Sequence, residues 1–169
     1  IGVAAAIAIA FLIRPMPAPP ASPIASEFAA LRSARLWTAL GTTVFGFGGG
    51  VSLAALQLAK MAGAKVIVTS RYEAKLQHAL QMGADAGVHS ASQDIAKTVL
   101  ALTGGRGVDV VIENVGAAVW GAALKSLVRG GRLVTCGATT GDQPGADLRR
   151  MFIRQLKVFG STLGTLSEF

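Results

Sequence analysis

GFGGGVSLAALQLAKMAGAKVIVTS, residues 46–70, is the stretch on which the fold turns. A short apolar strand at Val44 and Phe45 runs into glycines, and these open directly onto a helical segment rich in Ala and Leu. Gly63 ends that helix, and a second apolar strand, Lys65 to Thr69, follows. Strand, glycine turn, helix and strand within about 30 residues form the setting that a dinucleotide-binding turn requires. Glycine puts no Cβ between a ligand and the backbone N–H groups, and a helix N-terminus adds unpaired donors and partial positive charge. A glycine run alone would mean no more than a tight turn. Its position between a strand and a helix makes it a candidate phosphate cradle.

Strands and helices go on alternating towards the C-terminus. Tyr72 to Met82 reads as a helix closed by Gly83, and Ala86 to Val88 as a short strand. Ser90 with Gln93 suggests a capping box for a helix from Asp94 to Leu102. Val108 to Val115 is almost continuously apolar, as a strand covered on both faces should be. A helix from Val119 to Val128 is expected to stop at Gly130 and Gly131, ahead of a fifth strand at Arg132 to Cys136. Asp147 is a good N-cap for a helix from Leu148 to Gln155, and Lys157 to Thr162 supplies a sixth strand. Connections of this length suit parallel neighbours, so the fold class is α/β, a doubly wound parallel sheet of about six strands.

The 169 residues suffice for one domain with a buried core, and the 21 glycines fit tight connections between buried strands. Cys136 is the single cysteine, which excludes an internal disulfide and points to a reducing, cytoplasmic compartment. The formal charge of +7 is scattered, its one concentration at Arg149, Arg150, Arg154 and Lys157 reads as the solvated face of an amphipathic helix, and aromatic residues are few, so nucleic acid is not an expected partner. Ile1 to Ile13 is an apolar run followed by Arg14 and PMPAPPASP; it is too short for a comfortable membrane span, so no membrane partner is expected. Residues 1–41 receive no function, and residues 42–169 form the expected domain. A first residue of Ile rather than Met suggests a piece of a longer protein.

The C-terminal three-quarters of the chain resembles the cofactor domain of the medium-chain dehydrogenase/reductase superfamily, nearest its zinc-type alcohol dehydrogenase and quinone oxidoreductase branches. The resemblance is carried by GGVSLAALQLAKMAGAKVIVTS, by the segment from Lys75 to MGAD at Asp85, by LTGGRGVDVVIENVG (102–116), by GGRLVTCGATTG (130–141) and by LRRMFIRQLKVFGSTLG (148–164). It implies a Rossmann-type sheet of order 3-2-1-4-5-6. It also implies hydride transfer between a nicotinamide cofactor and an alcohol, a carbonyl or a quinone or enone. The family's catalytic domain is missing from this chain, and in zinc-type relatives the metal ligands lie mainly there. The sequence departs from the family at Phe47, which stands where the first turn glycine belongs and leaves Gly46 within the strand.

Gly48, Gly49, Gly50, Val51 and Ser52 are therefore expected at the pyrophosphate. Asn114, Val115 and Gly116 end the fourth strand beside the switch point, and the resemblance sets Cys136, Gly137, Ala138 and Thr139 against the nicotinamide half. Cys136 has no recognisable base and reads as a small buried residue rather than a nucleophile. Glu113 either orients a cofactor hydroxyl or satisfies backbone donors. Where NAD-binding turns carry an acid at the end of the second strand, this chain has Thr69-Ser70-Arg71. Ser70, Arg71 and Lys75 accordingly favour NADP, with NAD as the alternative. No catalytic or metal residue is identifiable, so the chain alone is expected to bind no zinc and turn over no substrate. An apolar sixth strand at the sheet edge is a pairing liability, and the resemblance implies a homodimer through that strand. The competing reading is a non-catalytic nucleotide-binding or interaction domain, or an inactive fragment.

Overall fold

The structure, a computed structural model, describes residues 41–44, 46 and 49–162. The N-terminal apolar run, Phe45, Phe47 and Gly48 lie outside the described residues. The strands are β1 (Gly41–Val44), β2 (Lys65–Ser70), β3 (Ala86–His89), β4 (Val108–Glu113), β5 (Leu127–Thr135) and β6 (Lys157–Gly160). The helices are α1 (Gly50–Met61), α2 (Glu73–Gln81), α3 (Ile95–Leu102), α4 (Ala117–Ser126) and α5 (Leu148–Arg154). The six strands form one parallel sheet in the order β3-β2-β1-β4-β5-β6, as the resemblance implies.

The apolar runs are explained by a core on each side of the sheet. Val66, Val68, Val110 and Ile112 pack with Val44 against α1 and α2 through Leu56, Ala59, Leu76 and Ala79. Ile67, Val111 and Leu133 point the other way, towards Ile95, Val99 and Leu124 of α3 and α4. Alternate residues of one strand thus feed opposite cores, so the pattern reads as continuous hydrophobicity.

Side chains distant in sequence tie the layers together. Asp85, the last residue of MGAD, accepts from Lys60 Nζ at 2.8 Å and from Val66 N–H at 2.6 Å, joining α1 to the start of β2. Arg106 makes a bidentate pair with Asp109, at 2.7 Å on both oxygens. Asp109 also accepts from Gly41 N–H at 2.9 Å, which holds the start of β1 against β4.

Several local expectations are corrected. The Ser90–Gln93 capping box does not form: Asp94 caps α3 through Lys97 N–H, while Gln93 Oε1 accepts from His89 N–H at 2.8 Å. Gly130 and Gly131 do not end α4, which stops at Ser126. They lie inside β5, where the register jumps from Val108↔Leu127 to Val110↔Arg132. Gly46 is not part of β1; with φ +69° it makes the turn that leaves the strand. The first strand, expected at Val44 and Phe45, runs from Gly41 to Val44 among the described residues. Arg154, expected on a solvated face, donates to Leu127 O at 3.1 Å. The capping of α5 by Asp147 and the edge position of β6 are as expected.

Candidate functional site

β1 lies between β2 and β4, so the chain leaves the sheet in opposite directions on either side of it. The crevice at the carboxyl ends of strands around this reversal is where open α/β sheets take their ligands. The residues singled out from the sequence leave β1, β2, β4 and β5 at this end, apart from Gly48, which is not described.

At the end of β1, Gly49 is the N-cap of α1 in an extended conformation, with no side-chain cap and no acidic residue in the first turn. The first bond into the helix is Leu53 N–H to Gly49 O at 3.1 Å, so the N–H groups of Gly50, Val51 and Ser52 precede the helical ladder. A Cβ placed on Gly49 or Gly50 would meet no atom within 4 Å, and both residues are exposed. Among the described residues, nothing caps or covers this set of donors. Val51 instead packs on the core of α1.

Ser52 differs from expectation in what its side chain does. Nearly fully buried, it donates to Gly46 O at 3.3 Å and accepts from Asn114 Nδ2 at 3.2 Å. Gly46 N–H in turn donates to Thr69 Oγ1 at 3.3 Å. The exits of β1, β2 and β4 are thereby tied into one network, and a Cβ on Gly46 would run into Asn114 Oδ1 at 2.8 Å.

Glu113 at the end of β4 is fully buried, and its role is now defined. Oε1 accepts from the N–H groups of Val115 and Gly116, the latter at 2.7 Å, and Thr135 Oγ1 lies 3.4 Å from Oε2. It satisfies backbone donors rather than facing outward. Burial raises its carboxyl above the ordinary value, and the hydrogen bonds from Gly116, Val115 and Thr135 only partly oppose this.

The turns after β4 and β5 are laced together. Val115 O accepts from Thr140 N–H and Thr140 Oγ1, both at 2.7 Å, and Ala117 N–H donates to Gly141 O at 3.0 Å. Cys136, half-buried, donates its N–H to Glu113 O at 2.9 Å. Burial, and then the charge of Glu113, raise its thiol above the ordinary value, which disfavours a thiolate. Gly137 passes so close to Asn114 that a Cβ would lie 2.9 Å from its carbonyl. Ala138 and Thr139 are exposed. Beside these turns opens a cavity of about 790 Å³, lined by Gly116, Trp120, Cys136, Gly137, Asp142 and Gly160 among others.

Ser70, Arg71 and Lys75 lie apart from this cavity, at the exit of β2. Ser70 is buried, and its Oγ accepts from Tyr72 N–H at 3.3 Å. Arg71 and Lys75 are exposed, and their cationic heads lie 5.8 Å and 4.9 Å from the centroid of the Tyr72 ring. Tyr72 had no part in the site as read from the sequence; its place between two basic residues was the available signal.

Among the described residues, no group of three His, Cys, Asp or Glu side chains stands close enough to hold a metal ion, and no helix is long and apolar enough to cross a membrane. Zinc therefore has no ligand set in the described part of this chain. A dinucleotide phosphate does have a matching feature, the start of α1, which no described side chain caps or obstructs.

Comparison with known proteins agrees with the fold. The quinone oxidoreductase of Salmonella typhimurium is 40% identical over 100 residues, covering 59% of this chain and 31% of the relative. The Escherichia coli quinone oxidoreductase crystallised with NADPH superposes with a TM-score of 0.68 at 30% identity, over 80% of this chain and 42% of that one. An NAD-dependent alcohol dehydrogenase superposes with a TM-score of 0.72 at 36% identity, over 82% and 40%. The chain thus spans about a third to two-fifths of the length of these relatives. The family model for zinc-binding dehydrogenases matches residues 50–169, well over half of the chain. The chain belongs to the zinc-binding dehydrogenase family, and what it contributes is a Rossmann-type nucleotide-binding unit.

Proposed function

We propose that residues 42–169 hold the NADP(H) of an oxidoreductase that passes hydride to or from an alcohol, a carbonyl or a quinone or enone. The nicotinamide would supply the hydride, and the protein its placement. The substrate would be held by the part of the relatives' length that this chain does not span. Gly48, Gly49, Gly50 and Val51 would face the pyrophosphate, with Ser52 fixing the turn from behind. Asn114, Val115, Gly116, Cys136, Gly137, Ala138 and Thr139 would border the nicotinamide half, and Arg71 and Lys75, with Ser70 beneath, the adenosine 2′-phosphate.

The observation that carries the choice of NADP is the exit of β2. It presents two exposed cations, and the next carboxylate in the sequence, Glu73, accepts from Gln77 Nε2 at 2.8 Å along its own helix. An acid accepting the ribose hydroxyls would repel a 2′-phosphate; a guanidinium suits it. Calorimetric titration with NADPH and NADH is the test. Arg71→Ala is expected to weaken NADPH by about tenfold, or about 1.4 kcal/mol, and leave NADH nearly unchanged. Equal affinities in the parent chain, or equal weakening of both cofactors by the substitution, would overturn the choice of NADP. Failure to bind either cofactor would overturn the nucleotide-binding reading itself.

Assembly belongs to the same proposal. β6 is an edge strand, and the neighbouring α5 exposes Leu148 (66%), Phe152 (70%) and Ile153 (47%). An apolar face beside an open sheet edge favours a second copy of the chain there. Light scattering over a concentration series should show a dimer, and Phe152→Asp should shift it to monomer without lowering Tm. A parent chain that stays monomeric at high concentration would refute this.

A further inference from the structure

We infer that Tyr72 is a positioning residue that selects for a phosphomonoester next to the adenosine, by holding Arg71 and Lys75 together over its ring. The inference rests on the proposed cofactor reading and goes one step beyond it. Arg71 and Lys75 carry like charges on long, flexible stems, and nothing in their own chemistry keeps them near one another. The Tyr72 ring does. The Lys75 ammonium lies 4.9 Å and the Arg71 guanidinium 5.8 Å from its centroid, both within cation–π range.

The backbone fixes the ring itself. Tyr72 is the N-cap of α2, at φ −120° and ψ 120°, and its N–H donates to the buried Ser70 Oγ. Its carbonyl accepts from Lys75 N–H at 3.1 Å and from Leu76 N–H at 3.3 Å, which fixes Lys75 in the first turn of α2. Among the described residues, neither Arg71 nor Lys75 has a carboxylate within salt-bridge distance. Two cations beside one uncharged ring, with no described carboxylate in salt-bridge reach, make a receptor for a compact dianion. The ring adds no charge of its own. Removing it should therefore act on the phosphate increment and not on the rest of the nucleotide.

The experiment compares Tyr72→Phe, which keeps the ring, with Tyr72→Leu, which keeps apolar bulk and loses the π face. The probes are adenosine 2′,5′-bisphosphate and adenosine 5′-phosphate, titrated into the chain by calorimetry. Tyr72→Leu is expected to weaken the bisphosphate by about fivefold and leave the monophosphate unchanged, and Tyr72→Phe to match the parent. A ligand-free readout accompanies it. Ring current should displace the Lys75 ε-methylene NMR signal upfield in the parent and in Tyr72→Phe, and Tyr72→Leu should remove the displacement. Equal weakening of both nucleotides, a Tyr72→Phe variant as poor as Tyr72→Leu, or an undisplaced Lys75 signal would overturn the role of Tyr72 and leave the cofactor reading standing. A displaced Lys75 signal in a chain that does not prefer the bisphosphate would overturn both.

Discussion

Gly116→Ala is expected to lower the stability of the folded chain by about 3 kcal/mol, a fall in Tm of about 10 °C. Gly116 has φ +91° and ψ −139°, a region in which an L side chain is strained whatever space surrounds it. There is no space either. A Cβ would be driven into Gly141 O and would stand 2.9 Å from Ala138 Cα, both of them backbone atoms that cannot swing aside. Relief would require parting the two turns and losing the bonds between Ala117 and Gly141 and between Val115 and Thr140. Thermal unfolding followed by circular dichroism measures the effect. A variant melting within about 2 °C of the parent would show that the turns give way more easily than this geometry allows.

Glu113→Ala should be comparably damaging, for a different reason. It would strand the part-buried N–H of Val115 and the buried N–H of Gly116, each worth about 1–3 kcal/mol when left unpaired, so a loss on the order of 3 kcal/mol is expected. Glu113→Gln keeps an acceptor of the same reach and should be far milder. The two variants together separate the acceptor from the charge. The folded-state pKa of Glu113 is raised above its ordinary value. From the ordinary carboxylate pKa up to the raised one, the folded chain keeps a proton that the unfolded chain has released. Stability therefore falls as pH rises through that window and levels off above it. Glu113→Gln cannot titrate, so its stability relative to the parent should improve across the same pH range. A difference that stays constant with pH, or moves the other way, would contradict the burial assigned to this carboxyl.

These two residues mark how far the sequence could be read. The strand runs and the glycine turn were visible because hydrophobic continuity and the position of Gly49 and Gly50 are local properties, whereas the order of the six strands was implied by the family resemblance. The role of Glu113 was not visible, since its acceptors' partners lie in a turn whose path depends on packing against β5. Gly130 and Gly131 misled for a related reason. Glycine after an apolar segment looks the same whether it closes a helix or relaxes a strand, and only pairing with β4 decides between them. Ser52 was placed correctly at the start of α1, but its side chain serves Gly46 and Asn114, residues that only the tertiary fold brings near it. The basic side chains of α5 were read as a solvated face because charge suggests exposure, yet the carbonyl of Leu127 engages Arg154.

The lacing between the turns after β4 and β5 bears on how conformational freedom would be lost when a ligand arrives. With Val115, Ala117, Thr140 and Gly141 already bonded to one another, the disorder of these turns is surrendered during folding. A ligand seated there would meet a surface that needs little further ordering, and contact energy would pass into affinity with small entropic loss. At the exit of β2 the situation is reversed. Arg71 and Lys75 stand in solvent on many-jointed stems, and whatever freedom Tyr72 leaves them must be given up at the encounter itself. One end of the crevice is thus rigid before binding and the other is still to be ordered.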